Sequence, residues 1–233
     1  MSDIKKSNSQ FQLSHIITAD GSSTLILNGL NEQYHSINGA LQESTVVYIQ
    51  NGLNYFTNKN LKILEIGFGT GLNCLLTYAA NAEKKLPKTI DYTALEPFPI
   101  DVDLLNQLNY DKLIETKFAA EFFKEIHQFA TLEKKEIQPH FFLTKSLLSI
   151  QQFNTEEALY DLIYFDAFSP SIQPEMWTLD IFIKLFSLLK KGGILVTYCA
   201  KGEVKRTLKT AGFKIENLAG PPGKREVTRA IKV

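Results

Sequence analysis

Apolar positions in this chain follow two alternating periods. Short runs rich in Ile, Leu, Phe and Tyr occupy residues 61–66, 90–95, 140–144, 159–165 and 193–198. Residues 72–82, 100–109, 119–134, 178–189 and 203–211 instead carry apolar side chains every three or four positions. The first kind reads as buried strands and the second as helices. Strands taking turns with helices predict a doubly wound, mostly parallel α/β sheet. Residues 213–218 and 226–233 alternate with period two and read as a closing antiparallel pair. Upstream, residues 23–27 and 33–37 flank Asn28-Gly29, a hairpin signal, and Val46, Ile49 and Leu53 fall at helical spacing within 40–53. The chain thus divides into a small amino-terminal flap, 1–58, and a main domain, 59–233.

Composition narrows the class. With 233 residues and 44% apolar content, the chain is long enough to bury one substantial core. No apolar run approaches the roughly 20 residues that cross a bilayer, and the polar segment 1–10 lacks the core of a signal peptide. Cys74 and Cys199 are too few for a disulfide scaffold. A cytoplasmic protein without membrane contact is expected. His15, His35, His127 and His140 show no metal-ligand spacing, so no metal is expected. Ser36 and Ser169 lack the G-x-S-x-G setting of a hydrolase nucleophile. The formal charge is zero, yet residues 189–233 hold eleven Lys and Arg against three acids. A basic carboxyl end of this kind is what a polyanion-binding face requires, and equally what a solvated surface shows.

Glu65-Ile-Gly67-Phe68-Gly69-Thr70-Gly71 stands where the first strand of the main domain turns into its first helix. Glycines there let the backbone approach a ligand closely, and the helix start offers free N–H groups. The G-x-G-x-G spacing differs from the G-x-G-x-x-G of dinucleotide sites, which disfavours a nicotinamide oxidoreductase. The loop resembles motif I of class I S-adenosylmethionine methyltransferases, Rossmann-like folds in which the acid (here Glu65) organises the amino-acid end of the cofactor. Asn73 follows in the same segment. Glu96-Pro97 ends the second strand, where a carboxylate accepts ribose hydroxyls. The third strand departs from the pattern: Thr144 stands where that family has an acid for the adenine amino group. Either Thr144 or a nearby backbone carbonyl takes that contact, or apolar packing holds the ring.

A fourth strand delivers Asp166-Ala-Phe168-Ser169-Pro170, continued by Pro174-Glu-Met-Trp177. An amine attacking a sulfonium methyl must arrive uncharged, in line and close, so acceptors that orient it matter more than a strong base. This segment is similar to the D-[GA]-F-[AS]-P-x-x-x-P-[DE]-M-W stretch of the MnmC family's methyltransferase domain. Tyr34-His-Ser with Gly39-Ala-Leu-Gln-Glu43, Gly67 to Asn73, Glu96 to Ile100, Gly202 to Arg206 and Gly223 to Glu226 agree in order. The resemblance implies transfer of a methyl group from S-adenosylmethionine to the aminomethyl group of 5-aminomethyl-2-thiouridine at the tRNA wobble position. It implies no FAD, because the flavin oxidase half of fused members has no counterpart here, and it implies a separate enzyme or pathway that supplies the aminomethyl uridine.

On this reading, Asp166 and the backbone around Phe168, Ser169 and Pro170 receive the amine. Asp166 acts by positioning rather than as a simple base, because an unperturbed Asp titrates near about 3.9. Tyr34 and Glu43 are expected to close over the methionine end of the cofactor, and Trp177 to pack beneath the substrate loop. Lys201, Lys205, Arg206, Lys224 and Arg225 are expected to grip phosphates of the anticodon stem-loop. The rivals are a methyltransferase or aminopropyltransferase for a small amine, and a catalytically silent RNA-binding relative.

Overall fold

Strands whose side chains are apolar on both faces can be buried only in a sheet covered on both sides, and that condition organises the molecule. The computed structural model describes residues 12–30, 32–85, 87–128 and 133–233; the polar opening segment, Asn31, Leu86 and residues 129–132 of the helix expected over 119–134 lie outside them.

The chain begins with β1 (Leu13–Ile17), β2 (Ser23–Leu27) and β3 (Glu32–Gln33), which form a small antiparallel sheet. The expected hairpin partner of β2 at 33–37 shrinks to two paired residues, and β1 is the main partner instead. After Gln33 the chain leaves the ladder: His35 turns in to the Thr24 hydroxyl, and Ser36 N–H donates to the Glu43 carboxylate at 2.7 Å. The expected helix over 40–53 is broken into α1 (Ala40–Ser44), a π-helical turn (Thr45–Gln50) and a 3-10 turn (Leu53–Tyr55). The β-branched run Thr45-Val46-Val47 weakens α geometry there.

The main sheet is built from β4 (Asn60–Ile66), β5 (Thr89–Leu95), β6 (Lys135–Gln138), β7 (Phe141–Ser146), β8 (Tyr160–Phe165), β9 (Leu189–Thr197), β10 (Lys214–Ala219) and β11 (Glu226–Ile231). Its order is β10-β11-β9-β8-β4-β5-β7-β6. Strands β4, β5, β7, β8 and β9 run parallel, while β6 on one edge and the β10–β11 pair on the other are antiparallel. The doubly wound expectation is therefore met. Strand β6 was not anticipated, since its residues follow directly on a segment read as helix.

Helices α2 (Leu72–Ala82), α3 (Val102–Leu105), α4 (Tyr110–Leu113) and α5 (Ala119–Gln128) precede β6, and α6 (Leu179–Leu188) and α7 (Gly202–Thr210) flank β9. The expected helix over 100–109 survives only as α3, capped by the Asp101 carboxylate on Asp103 N–H at 2.8 Å. Fully buried β8 shows the layering: Leu162 and Tyr164 enter the core shared with α2, α5 and the flap, whereas Ile163 and Phe165 face α6, α7 and Trp177. Chain order runs outward in opposite directions from β4 and β8, so a crevice opens beyond their carboxyl ends, the place where such sheets take ligands. No helix among the described residues is long and apolar enough to cross a membrane.

Candidate active site

Beyond the end of β4, Gly67, Gly69 and Gly71 all take positive φ, at 86°, 49° and 75°. That conformation folds the loop flat against the next strand: Gly67 N–H bonds Leu95 carbonyl at 3.0 Å, and Asp166 N–H bonds Ile66 carbonyl at 2.9 Å. A Cβ on Gly67 would collide with the Asp166 carbonyl, and one on Gly69 would stand 3.2 Å from the Tyr34 ring. The glycine loop, the acid that ends β8 and the flap thus meet at one point, as the sequence expected.

Glu96, at the end of β5, accepts Gly69 N–H at 2.8 Å and Phe98 N–H at 2.9 Å. Burial raises its carboxyl above the usual range, with those two N–H groups and Lys145 opposing. Beside it lies a cavity of about 200 Å³ lined by Phe68, Gly69, Glu96, Ile100, Leu105, His127, Lys145, Ser146 and Leu147 among others. Pro97 continues the loop that borders it.

Thr144 is not part of that lining, which leaves a backbone carbonyl or apolar packing, the other expected alternatives, for the adenine. The strand runs two residues further than expected, pairing Thr144 with Thr93 and Ser146 with Leu95. Lys145, Ser146 and Leu147, at and just past the end of that strand, line the cavity. The Lys145 ammonium donates to Ile126 carbonyl at 2.8 Å and lies 4.7 Å from the Phe68 ring centroid. Desolvation lowers its affinity for a proton. His127 accompanies it, with Nε2 3.1 Å from Thr70 carbonyl, and burial pushes it down to about 3, so the ring is neutral. Neither residue carried a motif in the sequence.

Glu65 does not open onto the crevice. It is fully buried, with its two oxygens taken by Asn73 Nδ2 at 3.0 Å and Tyr92 hydroxyl at 2.8 Å, and burial raises it well above the ordinary carboxyl range. Its link to the site runs through Asn73, whose Nδ2 also donates to Asp166 Oδ2 at 2.8 Å. Asp166 itself is pushed up to about 6, first by desolvation and also by Glu43, with Tyr48, Asn73 and Lys224 opposing. It is therefore a better proton acceptor than a free Asp.

The substrate loop is pinned from below. Tyr198 hydroxyl donates to Ala167 carbonyl at 2.9 Å, and Trp177 Nε1 donates to Phe168 carbonyl at 2.8 Å. Trp177 is buried among Phe165, Phe182 and Tyr198, the packing role expected of it. Two carbonyls expected to be open to an amine thus already hold one donor each. Phe168 meets Tyr34 edge-on at 5.1 Å, and Ser169 N–H points at the Glu32 carboxylate at 3.4 Å. Pro170 follows, half-buried.

The basic residues separate into two groups. Lys224 bonds the Glu43 carboxylate and lies 4.3 Å from the Tyr198 ring centroid, so it belongs to the rim of the acid site rather than to an outer face. Lys205 is paired with Glu226 at 2.7 Å. Lys201, Arg206 and Arg225 are exposed, with Lys201 only loosely set against Glu203 at 4.0 Å. Among the described residues no group of His, Cys, Asp and Glu could hold a metal ion.

The glycine-edged loop, the apolar walls of Phe68, Ile100 and Leu105, and the Glu96 carboxylate fit a nucleoside with a polar tail. The profile of a family described as S-adenosyl-L-methionine-dependent methyltransferase matches residues 110–233. A tRNA 5-methylaminomethyl-2-thiouridine biosynthesis bifunctional protein MnmC from Pseudoalteromonas atlantica is 31% identical across 91% of this chain and 32% of its own length. The protein of the same name from Leptospira interrogans is 28% identical across 91% of this chain and 34% of its own. The chain spans about a third of the length of these curated relatives. In structure, it resembles MNMC2 from Aquifex aeolicus, with a TM-score of 0.76 at 23% identity over 95% of this chain and 70% of that one. Spermidine synthase from Thermotoga maritima shares the fold, with a TM-score of 0.55 at 11% identity over 94% of this chain and 68% of that one. By its profile match over more than half its length, the chain belongs to the S-adenosyl-L-methionine-dependent methyltransferase family.

Proposed function

We propose that the chain methylates a primary amine, the aminomethyl group of 5-aminomethyl-2-thiouridine at the wobble position of tRNA. The observation that carries this reading is the contact between Gly67 and Asp166: the loop that cradles the donor and the acid that would receive the amine touch through their backbones. The curated relatives named for that nucleoside support the choice of substrate.

When bound, S-adenosylmethionine supplies an electrophilic methyl group on a sulfonium. Glu96 and the walls of Phe68, Ile100 and Leu105 hold its nucleoside part, while the backbone of Gly67 to Gly71 faces its polar tail. The Asp166 carboxylate orients the amine, and Phe168 with Tyr34 bounds the space for the uracil ring. Burial of this corner excludes water and favours the uncharged amine. The amine's proton leaves to solvent. Residues 1–58 serve as the flap over a catalytic domain of residues 59–233, and the work is done in the cytoplasm on a precursor that a separate enzyme supplies.

Mass spectrometry of tRNA nucleosides from cells lacking this protein tests the reading. The expected result is accumulated 5-aminomethyl-2-thiouridine with loss of its methylated product. An unchanged nucleoside profile overturns it and leaves a small soluble amine as the substrate class.

Phosphate contacts by Lys201, Arg206, Lys209 and Arg225 at the anticodon stem-loop release counterions on binding. For about four such contacts, tRNA affinity falls roughly a hundredfold between about 50 and 200 mM salt. Filter binding across that range checks it, and an affinity that barely moves removes these residues from the interface. Replacing Lys205, which is already paired, should change the salt slope little.

A further inference from the structure

We infer that Tyr48 belongs to the catalytic centre: its hydroxyl donates to the Asp166 carboxylate and accepts one N–H of the incoming amine. This rests on the methyl-transfer reading above and adds a residue to it.

The argument starts from unsatisfied groups. Among the described residues, three side-chain polar atoms are closed to solvent and without a hydrogen-bond partner: Ser44 Oγ, Tyr48 Oη and Asn73 Oδ1. A buried hydroxyl left unpaired costs stability, so such groups call for an explanation. These three are not scattered. Ser44 and Tyr48 lie on adjoining turns of the flap, and Asn73 holds Asp166 through its other amide atom.

Tyr48 is the one aimed at the acid. The π-helical turn carries it inward, where it is 1% exposed and its ring leans on Tyr164 at 5.1 Å between centroids. Its hydroxyl has no hydrogen-bond partner, and Asp166 is the charged group that bears on it most. π turns inside helices are found disproportionately at functional sites.

The second observation is that two carbonyls of the substrate loop are already partly engaged. Ala167 and Phe168 carbonyls already accept from Tyr198 and Trp177. An amine placed beside Asp166 needs a further acceptor to fix its rotation about the C–N bond. Tyr48 Oη, donating to Asp166, keeps its lone pairs free for that purpose. With one N–H on Asp166 and another on Tyr48, the nitrogen lone pair has a single direction left.

The groups that bear on Asp166 come from every element around it: Tyr48 and Glu43 from the flap, Asn73 from α2, Glu65 from β4, Tyr198 after β9, and Lys224 from the β10–β11 loop. Only Tyr48 combines a fully buried polar atom with the absence of any competing partner. Asn73 Oδ1 is also free, but its amide is committed to Glu65 and Asp166.

Tyr48→Phe tests this, because it keeps the ring and removes only the orphaned hydroxyl. With the full chain, single-turnover methyl transfer to tRNA bearing 5-aminomethyl-2-thiouridine should fall about a hundredfold. The melting midpoint should fall by no more than a few degrees, and S-adenosylhomocysteine affinity should stay within about threefold. In 13C-labelled protein, the Asp166 carboxyl should titrate at higher pH in the variant, since a donor to its charged form is gone. A turnover rate within about threefold of the parent or an unmoved Asp166 titration each overturns the assignment. Should the parent itself transfer no methyl to that RNA, the proposed substrate falls. The titration still decides the pairing of Tyr48 with Asp166.

Discussion

Asp166→Asn is expected to slow single-turnover methyl transfer on the order of a thousandfold while leaving the fold and donor affinity nearly unchanged. The amide keeps the shape, and its oxygen can still accept from Asn73 Nδ2, which now bonds Asp166 Oδ2 at 2.8 Å. What it loses is the charge that orients an amine. The parent should show a rate that rises as pH climbs through about 6, where burial, with Glu43, holds the Asp166 carboxyl up against the opposing pull of Tyr48, Asn73 and Lys224. The variant should lack that limb.

Stability should move the opposite way. A carboxyl whose folded value lies above its unfolded one binds more protons in the native state, so its contribution is intact at low pH and is lost as pH rises through about 6. Removing the charge should therefore make the variant relatively more stable above that pH. Rapid-quench kinetics and denaturation measured at matched pH check both halves. A variant turning over within tenfold of the parent would return Asp166 to a structural role.

The second large effect is expected at Gly67. Its φ of 86° disfavours any side chain, and a Cβ there would collide with the Asp166 carbonyl, which is backbone and cannot swing aside. Gly192 separates the two causes, because its φ of 77° is similar but nothing lies within 4 Å of its Cβ position. Gly192→Ala should cost about 1–2 kcal/mol from backbone strain alone. Gly67→Ala should cost about 2–5 kcal/mol, adding the price of overpacking to that strain. Against a typical total of about 5–15 kcal/mol, this is a severe loss. Donor binding should fall with it, since the loop must move off the acid. Urea melts and calorimetry with S-adenosylmethionine distinguish the cases; equal losses at the two glycines would show that the contact with Asp166 carries no weight.

The doubly wound sheet was legible because its strands are apolar on both faces and its helices are not. The glycine loop, Glu96 and the Asp166 segment were legible because chemistry at strand ends demands particular residue types at fixed spacing. The misreadings have physical causes. Thr144 was set at the cavity because the end of β7 was placed two residues early, and the residues that line it, Lys145, Ser146 and Leu147, lie at and just past the true strand end. Lys205 and Lys224 were read as free cations because no local pattern reveals partners as distant as Glu226 and Glu43. The break at Thr45 was hidden because Val46, Ile49 and Leu53 fit helical spacing whether or not the turn widens. Tyr48 gave no signal for the same reason: an aromatic on an apolar helix face reads as core, and in its ring it is.

The bond from Lys224 to Glu43 joins residues 181 positions apart. Contacts so remote in sequence form late, and on the ribosome the amino-terminal partner emerges long before the other. A nascent polypeptide that has released the glycine loop and the acid strand still lacks the cation that settles on Glu43. Completion of the β10–β11 hairpin thus closes this bond, and products terminated before it leave Glu43 without its cation.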